Sequence, residues 1–303
     1  MSALIEVSGV HKFFGDKHAL NNVEFVINKG EPIALVGPNG AGKTTLLSIL
    51  CGYIKPSSGK VSVFGDEPGK RGNLSRLAAL PQDAQLDPRF SIAKQLTFYA
   101  QLQGFTKQQA KLEAQRTLKL VGLEDSINEK PSALSHGMRK RVTIAQALIG
   151  DAEIVILDEA TAGLDPHNAR EIRSLVAELS SQTTFILSSH DLSELERLCN
   201  RVLYLDNGCL QQHHTLTNSV DTHFITLRMS KQHDDLIPAL KGLAQVTQVI
   251  NSQDKEYLIS FEVSEGDVAL DIQILQLCHQ NGWLYRQLIN GKTLENQLFN
   301  QSE

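Results

Sequence analysis

The stretch Gly37-Pro38-Asn39-Gly40-Ala41-Gly42-Lys43-Thr44-Thr45 decides the fold of this chain. It fits the pattern G-x-x-x-x-G-K followed by Ser or Thr, and it lies between an apolar run, Ile33–Val36, and a helix-like run over 45–50. A buried strand that ends in a glycine-rich turn and then opens a helix is the setting of a phosphate-binding P-loop. In that setting, backbone N–H groups and the positive end of the helix point at a phosphate chain. The stretch as a whole therefore predicts a nucleotide site.

Two side chains of the P-loop and two acids further along the chain predict the chemistry of this site. Lys43 places a positive charge on the β- and γ-phosphates, and the Thr44 hydroxyl is positioned to bind Mg²⁺. Asp158 and Glu159 follow four apolar residues, as at the carboxyl end of a buried strand, where ligands bind. Asp158 would hold Mg²⁺ through water, and Glu159 would polarise an attacking water. Together with the P-loop, the pair indicates nucleotide hydrolysis.

The composition is that of an ordinary globular protein. With 303 residues the chain has room for one large or two modest domains, and 29 basic against 34 acidic side chains leave a net charge of -5. This balance gives no overall attraction to nucleic acid or anionic lipid. Four cysteines without C-x-x-C spacing favour reduced thiols. Since neither a signal-like start nor an apolar run of about 18 residues is found, we expect membrane association through a partner and not by insertion.

Strands that alternate with helices predict a parallel sheet flanked by helices. Besides Ile33–Val36, buried strands are expected at 154–157 and 184–187, and an antiparallel β region at 5–25. Helical periodicity is expected over three segments, 94–103, Lys107–Leu120 and 139–148. We therefore predict one nucleotide-binding unit over 1–213, with a helical subdomain at about 83–145.

The pattern changes near residue 211, and we predict a separate α+β domain over 214–303. Its elements are expected in the order strand, helix, strand, strand, helix, strand, at 224–229, 235–243, 246–250, 257–263, 268–280 and 284–289. This β-α-β-β-α-β order is that of the ferredoxin-like arrangement. The pair His213-His214 lies at the junction. A metal site is one interpretation, but a solvated linker is favoured because no Cys or carboxylate spacing accompanies the pair.

The segment Leu134-Ser135-His136-Gly137-Met138 precedes a basic run at 139–141. A serine and a glycine at the start of a helix form a potential second phosphate cradle. Alternatively, Ser135 is an ordinary N-cap and the basic run is solvated. The local sequence does not decide between the two.

Residues 1–213 as a whole resemble the nucleotide-binding subunit of an ATP-binding cassette (ABC) transporter, because further motifs follow in that family's order and approximate spacing. Phe14 matches the aromatic residue that stacks on adenine. Gln82 matches the glutamine that contacts Mg²⁺ and the attacking water and senses the membrane subunit. His190 matches the switch histidine, which helps to position the phosphate. The resemblance thus adds these three residues to the site.

Two more motifs that carry the resemblance imply a dimer. Leu134 to Met138 match the family's signature motif, so Ser135 and Gly137 would reach the γ-phosphate of ATP held by the opposite subunit. Residues 163–165 match the D-loop at the dimer interface. His136 stands where the family usually has glycine. Met138 replaces the usual glutamine and is followed by basic residues. This pattern resembles subfamilies of the multidrug-exporter type, whose membrane partners export drugs, polysaccharides, lipids or other compounds.

The resemblance implies a P-loop ABC ATPase fold: an α/β core with a RecA-like parallel sheet, an antiparallel β region and a helical subdomain. It implies ATP and Mg²⁺ as ligands, and a second nucleotide-binding subunit, with a homodimer favoured over a heterodimer. It also implies an integral-membrane transporter subunit, encoded separately, that holds this chain at the cytoplasmic face of the cell membrane. The 214–303 domain would be an accessory or regulatory part.

Two other functions remain open from the sequence. A non-transport cassette ATPase that acts on ribosomes or DNA shares these motifs, but such relatives usually carry two cassettes or long insertions, and the acidic balance disfavours nucleic-acid binding. A nucleotide-binding scaffold without hydrolysis is the third possibility.

Overall fold

The P-loop strand lies inside a parallel sheet in the computed structural model, which describes residues 3–30, 32–73, 75–190, 195, 198–199, 201–215, 224–262 and 269–293. Contacts divide the chain into two compact units, Met1–Leu216 and Thr217–Glu303. The described elements of the first unit are, in chain order, β1 (Ala3–Phe14), β2 (Lys17–Asn28), β3 (Ile33–Val36), α1 (Lys43–Leu50), β4 (Ser58–Val63), β5 (Leu77–Leu80), α2 (Ile92–Leu102), α3 (Lys107–Leu120), α4 (His136–Ala147), β6 (Ile154–Asp158), α5 (Pro166–Leu179), β7 (Thr184–Ser189), β8 (Arg201–Asp206) and β9 (Cys209–Thr215).

The main sheet has the order β5-β6-β7-β3-β8-β9. Its strands are parallel except for the antiparallel pair β8 and β9. Every residue of β3, β6 and β7 is buried, as expected for central strands covered on both faces. The predicted parallel sheet is therefore confirmed, and it brings the carboxyl ends of β3, β6 and β7 to one edge.

A separate antiparallel sheet, in the order β2-β1-β4, confirms the predicted β region. Helix α1 packs between this sheet and the main one. Its buried side chains Leu46, Ile49 and Leu50 share one apolar cluster with Val7 of β1 and Leu35 of β3. Each such side chain contributes about 1.5–3 kcal/mol by leaving water. The helix that follows the P-loop is thus fixed from both sides.

The predicted helical segment is also present. Helix α3 has the predicted bounds and begins with a capping box between Thr106 and Gln109. Helix α4 begins at His136, three residues before the predicted start, because the Ser135 side chain accepts a hydrogen bond from the Met138 amide at its N-terminus. None of the helices in the described ranges is both long enough and apolar enough to cross a membrane.

Three strands of the main sheet, β5, β8 and β9, were not predicted. The four residues of β5 are a short apolar run of which half is alanine, a residue that favours strands weakly, so the run carries little strand signal. The pair His213-His214 lies within β9, opposite β8, so the favoured interpretation as a linker is wrong. The side chains of 212–215 lie outside the described part of the chain.

The second unit contains β10 (Phe224–Met229), α6 (Leu236–Lys241), β11 (Val246–Gln253), β12 (Glu256–Phe261), α7 (Leu270–Gln280) and β13 (Tyr285–Asn290). The strands form an antiparallel sheet in the order β11-β12-β10-β13. Buried residues of the strands, such as Ile225 and Ile259, pack with Leu240 and Ile274 from the two helices. The predicted β-α-β-β-α-β order is confirmed. Parts of the predicted elements at 257–263 and 268–280 fall on residues 263 and 268, which lie outside the described residues.

Candidate nucleotide-binding site

The P-loop turn requires glycine at two positions. Gly37 has a φ of 155°, and a side chain there would run into the carbonyl oxygen of Leu205 on β8. Gly42 has a φ of 107°, and its Cβ would lie 2.6 Å from the carbonyl oxygen of Ala19 on β2. Residues with a side chain rarely adopt such φ values. The turn is therefore held in place by close backbone contacts with both sheets.

The Lys43 side chain lies within this turn. It is only 7% exposed, and its Nζ donates to the carbonyl oxygens of Gly37 at 2.7 Å and Pro38 at 3.2 Å. A buried ammonium group needs such acceptors, because an unpaired charge is costly away from water. The positive charge thus stands at the centre of the loop, where phosphate oxygens bind in this motif.

Asp158 lies at the end of β6 and contacts hydroxyl groups of helix α1 and of the neighbouring strand β7. Its Oδ2 accepts a hydrogen bond from the Thr44 hydroxyl at 3.2 Å, and its Oδ1 accepts one from the Ser188 hydroxyl on β7. The carboxylate is 6% exposed. The sheet order explains the contacts, because β6 pairs with β7, with Asp158 opposite Ser188, and β7 pairs with β3. Thr44 and Asp158, predicted from two distant stretches, are therefore brought together.

Glu159 and His190 form the second charged contact of the site. Nδ1 of His190 lies 2.9 Å from Oε2 and 3.1 Å from Oε1 of Glu159. Glu159 is 7% exposed, whereas the His190 side chain is 56% exposed. Glu159 also has a φ of 50°, which is uncommon for a residue with a side chain and occurs often at active sites. A buried carboxylate with an imidazole partner is a fitting acceptor for a proton from water.

A cleft of about 260 Å³ joins Lys43, Thr44, Asp158 and Glu159, whereas His190 is not part of its lining. Its lining includes most of the predicted residues, namely Phe14, Asn39, Gly40, Gly42, Lys43, Thr44, Thr45, Gln82, Asp158 and Glu159. Phe14 is half-exposed, and Nζ of Lys12 lies 5.0 Å from the centre of its ring. Gln82 is exposed at the rim. Gly37, Pro38 and Ala41 belong to the same turn without lining the cleft.

Lys17 and Ala19 also line this cleft, and sequence reasoning missed both. Lys17 is paired with Phe14 across the hairpin of β1 and β2. A hairpin around Gly15 could have been foreseen from the sequence, and it would have placed Lys17 beside the aromatic residue.

Ser135 and Gly137 lie away from the cleft. The Ser135 hydroxyl is the N-cap of α4, which agrees with the second of the two interpretations for a single chain. The next residue, His136, lines a different cleft of about 350 Å³ together with Arg139, Lys140 and Gln82. Gln82 therefore contributes to both clefts, and neither of these two clefts is lined by the P-loop and the signature segment together.

The signature segment does contact the start of α5. Gly137 is buried, and a Cβ on it would overlap the amide of Asn168. That amide donates to Asp165 at 2.5 Å, and Asp165 caps α5 by accepting from the amides of His167 and Asn168. These hydrogen bonds lower the pKa of the Asp165 carboxyl, and those from Asn168 contribute most. A chain of contacts thus links Gly137 to the predicted D-loop.

Burial and charge shift two more groups near the site. Burial lowers the pKa of Lys140, and the negative charges of Asp158 and Glu159 oppose this shift. Burial, followed by repulsion from Asp158, raises the pKa of the Cys51 thiol to about 12. Both pKa shifts arise mainly from burial, which the negative charge at the end of β6 opposes at Lys140 and reinforces at Cys51.

The donor set at Thr44 and Asp158 fits Mg²⁺. A hydroxyl and a carboxylate oxygen lie 3.2 Å apart beside the Lys43 charge, and the Gln82 amide lines the same cleft. Mg²⁺ prefers oxygen ligands, keeps several waters and is usually bound through one or two carboxylates plus substrate phosphates. The residues present could therefore hold the ion once a nucleotide supplies phosphate oxygens.

Comparisons with known proteins point to one family. Residues 20–162 match the family model described as ABC transporter. The chain is 37% identical over 211 residues to the Nod factor export ATP-binding protein I of Rhizobium sp. (strain N33), covering 67% of this chain and 68% of that protein. It is 30% identical over 311 residues to the linearmycin resistance ATP-binding protein LnrL of Bacillus subtilis (strain 168), and the match covers 96% of this chain and 99% of that protein.

Similar solved structures belong to the same family as these relatives. A dimeric ATP-binding cassette in a post-hydrolysis state, bound to ADP and Pi, is 26% identical with a TM-score of 0.63, and the match covers 71% of this chain and 99% of that one. The protein cbiO1 of Clostridium perfringens, part of the ABC transporter complex cbiONQ, is 27% identical with a TM-score of 0.65. This match covers 71% of this chain and 90% of that one.

Proposed function

Because the chain belongs to the ABC transporter family as an ATP-binding and ATP-hydrolysing subunit, we propose that two copies of it close on ATP and drive a separately encoded membrane protein that exports its cargo. The relatives carry names of export and resistance proteins, which supports the exporter assignment. They are ATP-binding proteins of transporters, so transport is favoured over action on ribosomes or DNA.

The separation of the P-loop cleft from the signature segment supports a dimer. Lys43 and Thr44 line one cleft, whereas Ser135 lies outside it at the N-terminus of α4. In the proposed dimer, Ser135 and Gly137 of one copy complete the site of the other and bind the γ-phosphate. ATP then favours the closed dimer because it contacts both copies only in that state. Two identical copies can form such a dimer, since each chain carries both the P-loop half and the signature half of a nucleotide site. A homodimer is therefore proposed.

The contact between Glu159 and His190 is the single observation that carries the hydrolytic role. In the proposed reaction, water attacks the γ-phosphorus, the bond to the β,γ-bridging oxygen breaks and ADP leaves. Glu159 accepts the proton of the water, and His190 and Gln82 position the γ-phosphate and the nucleophile. Lys43 neutralises charge on the transferred phosphoryl group. Thr44 and Asp158, with Gln82 nearby, would hold Mg²⁺, which would supply further neutralisation of phosphate charge. Phe14 would stack on adenine.

The surface of α2 supports a membrane partner. Phe98 and Leu102, four residues apart on one face of this helix, are 56% and 68% exposed. Phe90, just before the helix, is 45% exposed. Large apolar side chains at the surface often mark sites of protein contact. We propose that the membrane subunit docks here, which would hold the chain at the cytoplasmic face of the membrane.

Replacement of Glu159 by Gln tests the proposed role. This change keeps the shape of the side chain but removes the proton acceptor. We expect ATP turnover, measured with the membrane partner present, to fall by about 100-fold or more. ATP should still bind, so light scattering should show an ATP-dependent dimer that persists.

The matched control is Glu178→Gln, which makes the same chemical change at an exposed position on α5. This variant should hydrolyse ATP like the parent protein. Turnover by Glu159→Gln equal to that of the control would contradict the assignment of Glu159 as the base.

A further inference from the structure

Ser188 connects the two acids of the site through a single hydroxyl group. Its Oγ donates to Oδ1 of Asp158 and accepts from the backbone amide of Glu159 at 3.0 Å. We propose that Ser188 is a positioning residue for ATP hydrolysis, which orients the Asp158 carboxylate and holds the Glu159 backbone in its unusual conformation. The inference rests on the proposed roles of Asp158 and Glu159.

The orientation of Asp158 follows from how its two oxygens are shared. Oδ1 is occupied by the Ser188 hydroxyl, while Oδ2 faces Thr44 at 3.2 Å. With Oδ1 fixed, the carboxylate cannot rotate freely, and Oδ2 stays on the side of the P-loop, where the residues fit Mg²⁺. Loss of a partner that orients a metal-binding carboxylate in this way typically lowers metal affinity or activity about 10- to 100-fold.

The backbone of Glu159 is the second group that Ser188 fixes. A left-handed conformation at a residue with a side chain costs of order 1 kcal/mol or more, and the surroundings must enforce it. The Glu159 amide is shared between the Ser188 hydroxyl at 3.0 Å and the Ser188 carbonyl oxygen at 3.3 Å. Loss of the hydroxyl removes the shorter of these bonds and lets the side chain that contacts His190 move.

Packing of the strand does not require a hydroxyl at this position, whereas the two acids use it. Ser188 is 3% exposed, and the β7 residues 185–187 before it are Phe, Ile and Leu. An apolar side chain would suit the packing of this buried strand, but it would leave Oδ1 of Asp158 without its Ser188 partner. The serine instead uses both its donor and its acceptor on the two residues that carry the proposed chemistry.

Ser188→Thr and Ser188→Val form a matched pair, because the two side chains have the same shape and only threonine keeps a hydroxyl. Ser188 lines a small internal cavity with Ile172 and Val176, which gives space for the added methyl group. Thr184→Val, a hydroxyl deletion at the other end of β7, serves as the control because Thr184 is bonded to Gly30 and not to the acids.

The experiment measures turnover, Mn²⁺ affinity of the ATP-bound protein by electron paramagnetic resonance, and affinity for a fluorescent ATP analogue in EDTA. For Ser188→Val we expect turnover and Mn²⁺ affinity to fall about 10- to 100-fold. Metal-free nucleotide affinity should be unchanged, since the P-loop turn is intact. Ser188→Thr and Thr184→Val should both resemble the parent protein.

Equal turnover and equal Mn²⁺ affinity in Ser188→Val and Ser188→Thr would overturn the inference. So would a loss in Ser188→Val that is matched by a loss of metal-free nucleotide binding or by unfolding, since this would indicate a packing role. Failure of the proposed function is distinguishable, because it appears as unchanged turnover in Glu159→Gln.

Discussion

At the scale of single residues, buried charge sets the properties of the site. Asp158 and Glu159 are 6% and 7% exposed at the end of one strand, and Lys43 is equally buried nearby. Burial of charge is tolerated only where partners compensate, here Thr44 and Ser188 for the aspartate and His190 for the glutamate. Burial also raises the pKa of neutral groups that become negatively charged when they lose a proton, such as thiols.

The thiols of Cys51 and Cys199 should therefore resist alkylation in the native protein. Burial raises the pKa of each to about 12, and Asp158 adds to the effect at Cys51. A pKa about three units above the ordinary value leaves on the order of one thiolate in a thousand at pH 9, and only the thiolate reacts. Mass spectrometry after N-ethylmaleimide treatment at pH 9 should find both unlabelled when folded and labelled in urea. Rapid labelling of folded Cys51 would contradict the prediction.

Sequence alone predicts roles for residues that belong to a recognised motif, such as Lys43, Thr44 and Glu159. It did not identify Ser188 as a partner of the acids, because a serine near the end of an apolar strand carries no local signal. Its role depends on the pairing of β6 with β7, which places Asp158 opposite Ser188. Contacts between strands distant in sequence become visible only when the sheet order is known.

At the scale of elements, two helix N-termini meet beside the signature segment. Ser135 caps α4 and Asp165 caps α5, and Gly137 contacts Asn168 between them. The N-cap role of Ser135 was one of the two alternatives in the sequence, whereas the contact between the helices was not foreseeable. It depends on the absence of a side chain at Gly137, which lets α5 approach closely.

Substitution of Gly137 by Ala should be destabilising because of Asn168. The added Cβ would overlap the Asn168 amide, and such overpacking typically costs about 1–3 kcal/mol. Asn168→Ala removes the overlapping atoms, so the double variant should be more stable than the sum of the two single changes predicts. Urea unfolding of the four proteins gives the coupling energy, which we expect to be about 1 kcal/mol or more. Strictly additive losses would show that the two residues are not in contact.

At the scale of the whole molecule, each unit has its own core. The cluster around α1 consists of residues from the first unit, and the cluster around β10 and β12 consists of residues from the second. The similarity to the linearmycin resistance protein covers 96% of this chain, so it extends into the second unit. The order of elements in that unit was predictable from alternating apolar residues, but its role was not, since its sequence contains no recognised chemical motif. We propose an accessory or regulatory role.

Removal of residues 217–303 separates the contributions of the two units. Every residue that lines the P-loop cleft precedes 160, and the apolar cluster around α1 ends at Leu205 and the adjoining Leu210. The shortened chain 1–216 should therefore fold and bind an ATP analogue within about threefold of the full-length affinity, a difference below about 1 kcal/mol. Circular dichroism and fluorescence titration check this, with the full-length chain as reference. If 1–216 folds yet loses nucleotide affinity, the second unit supports the site directly. If affinity is retained and only the ATP-dependent dimer of Glu159→Gln weakens, the second unit acts on assembly.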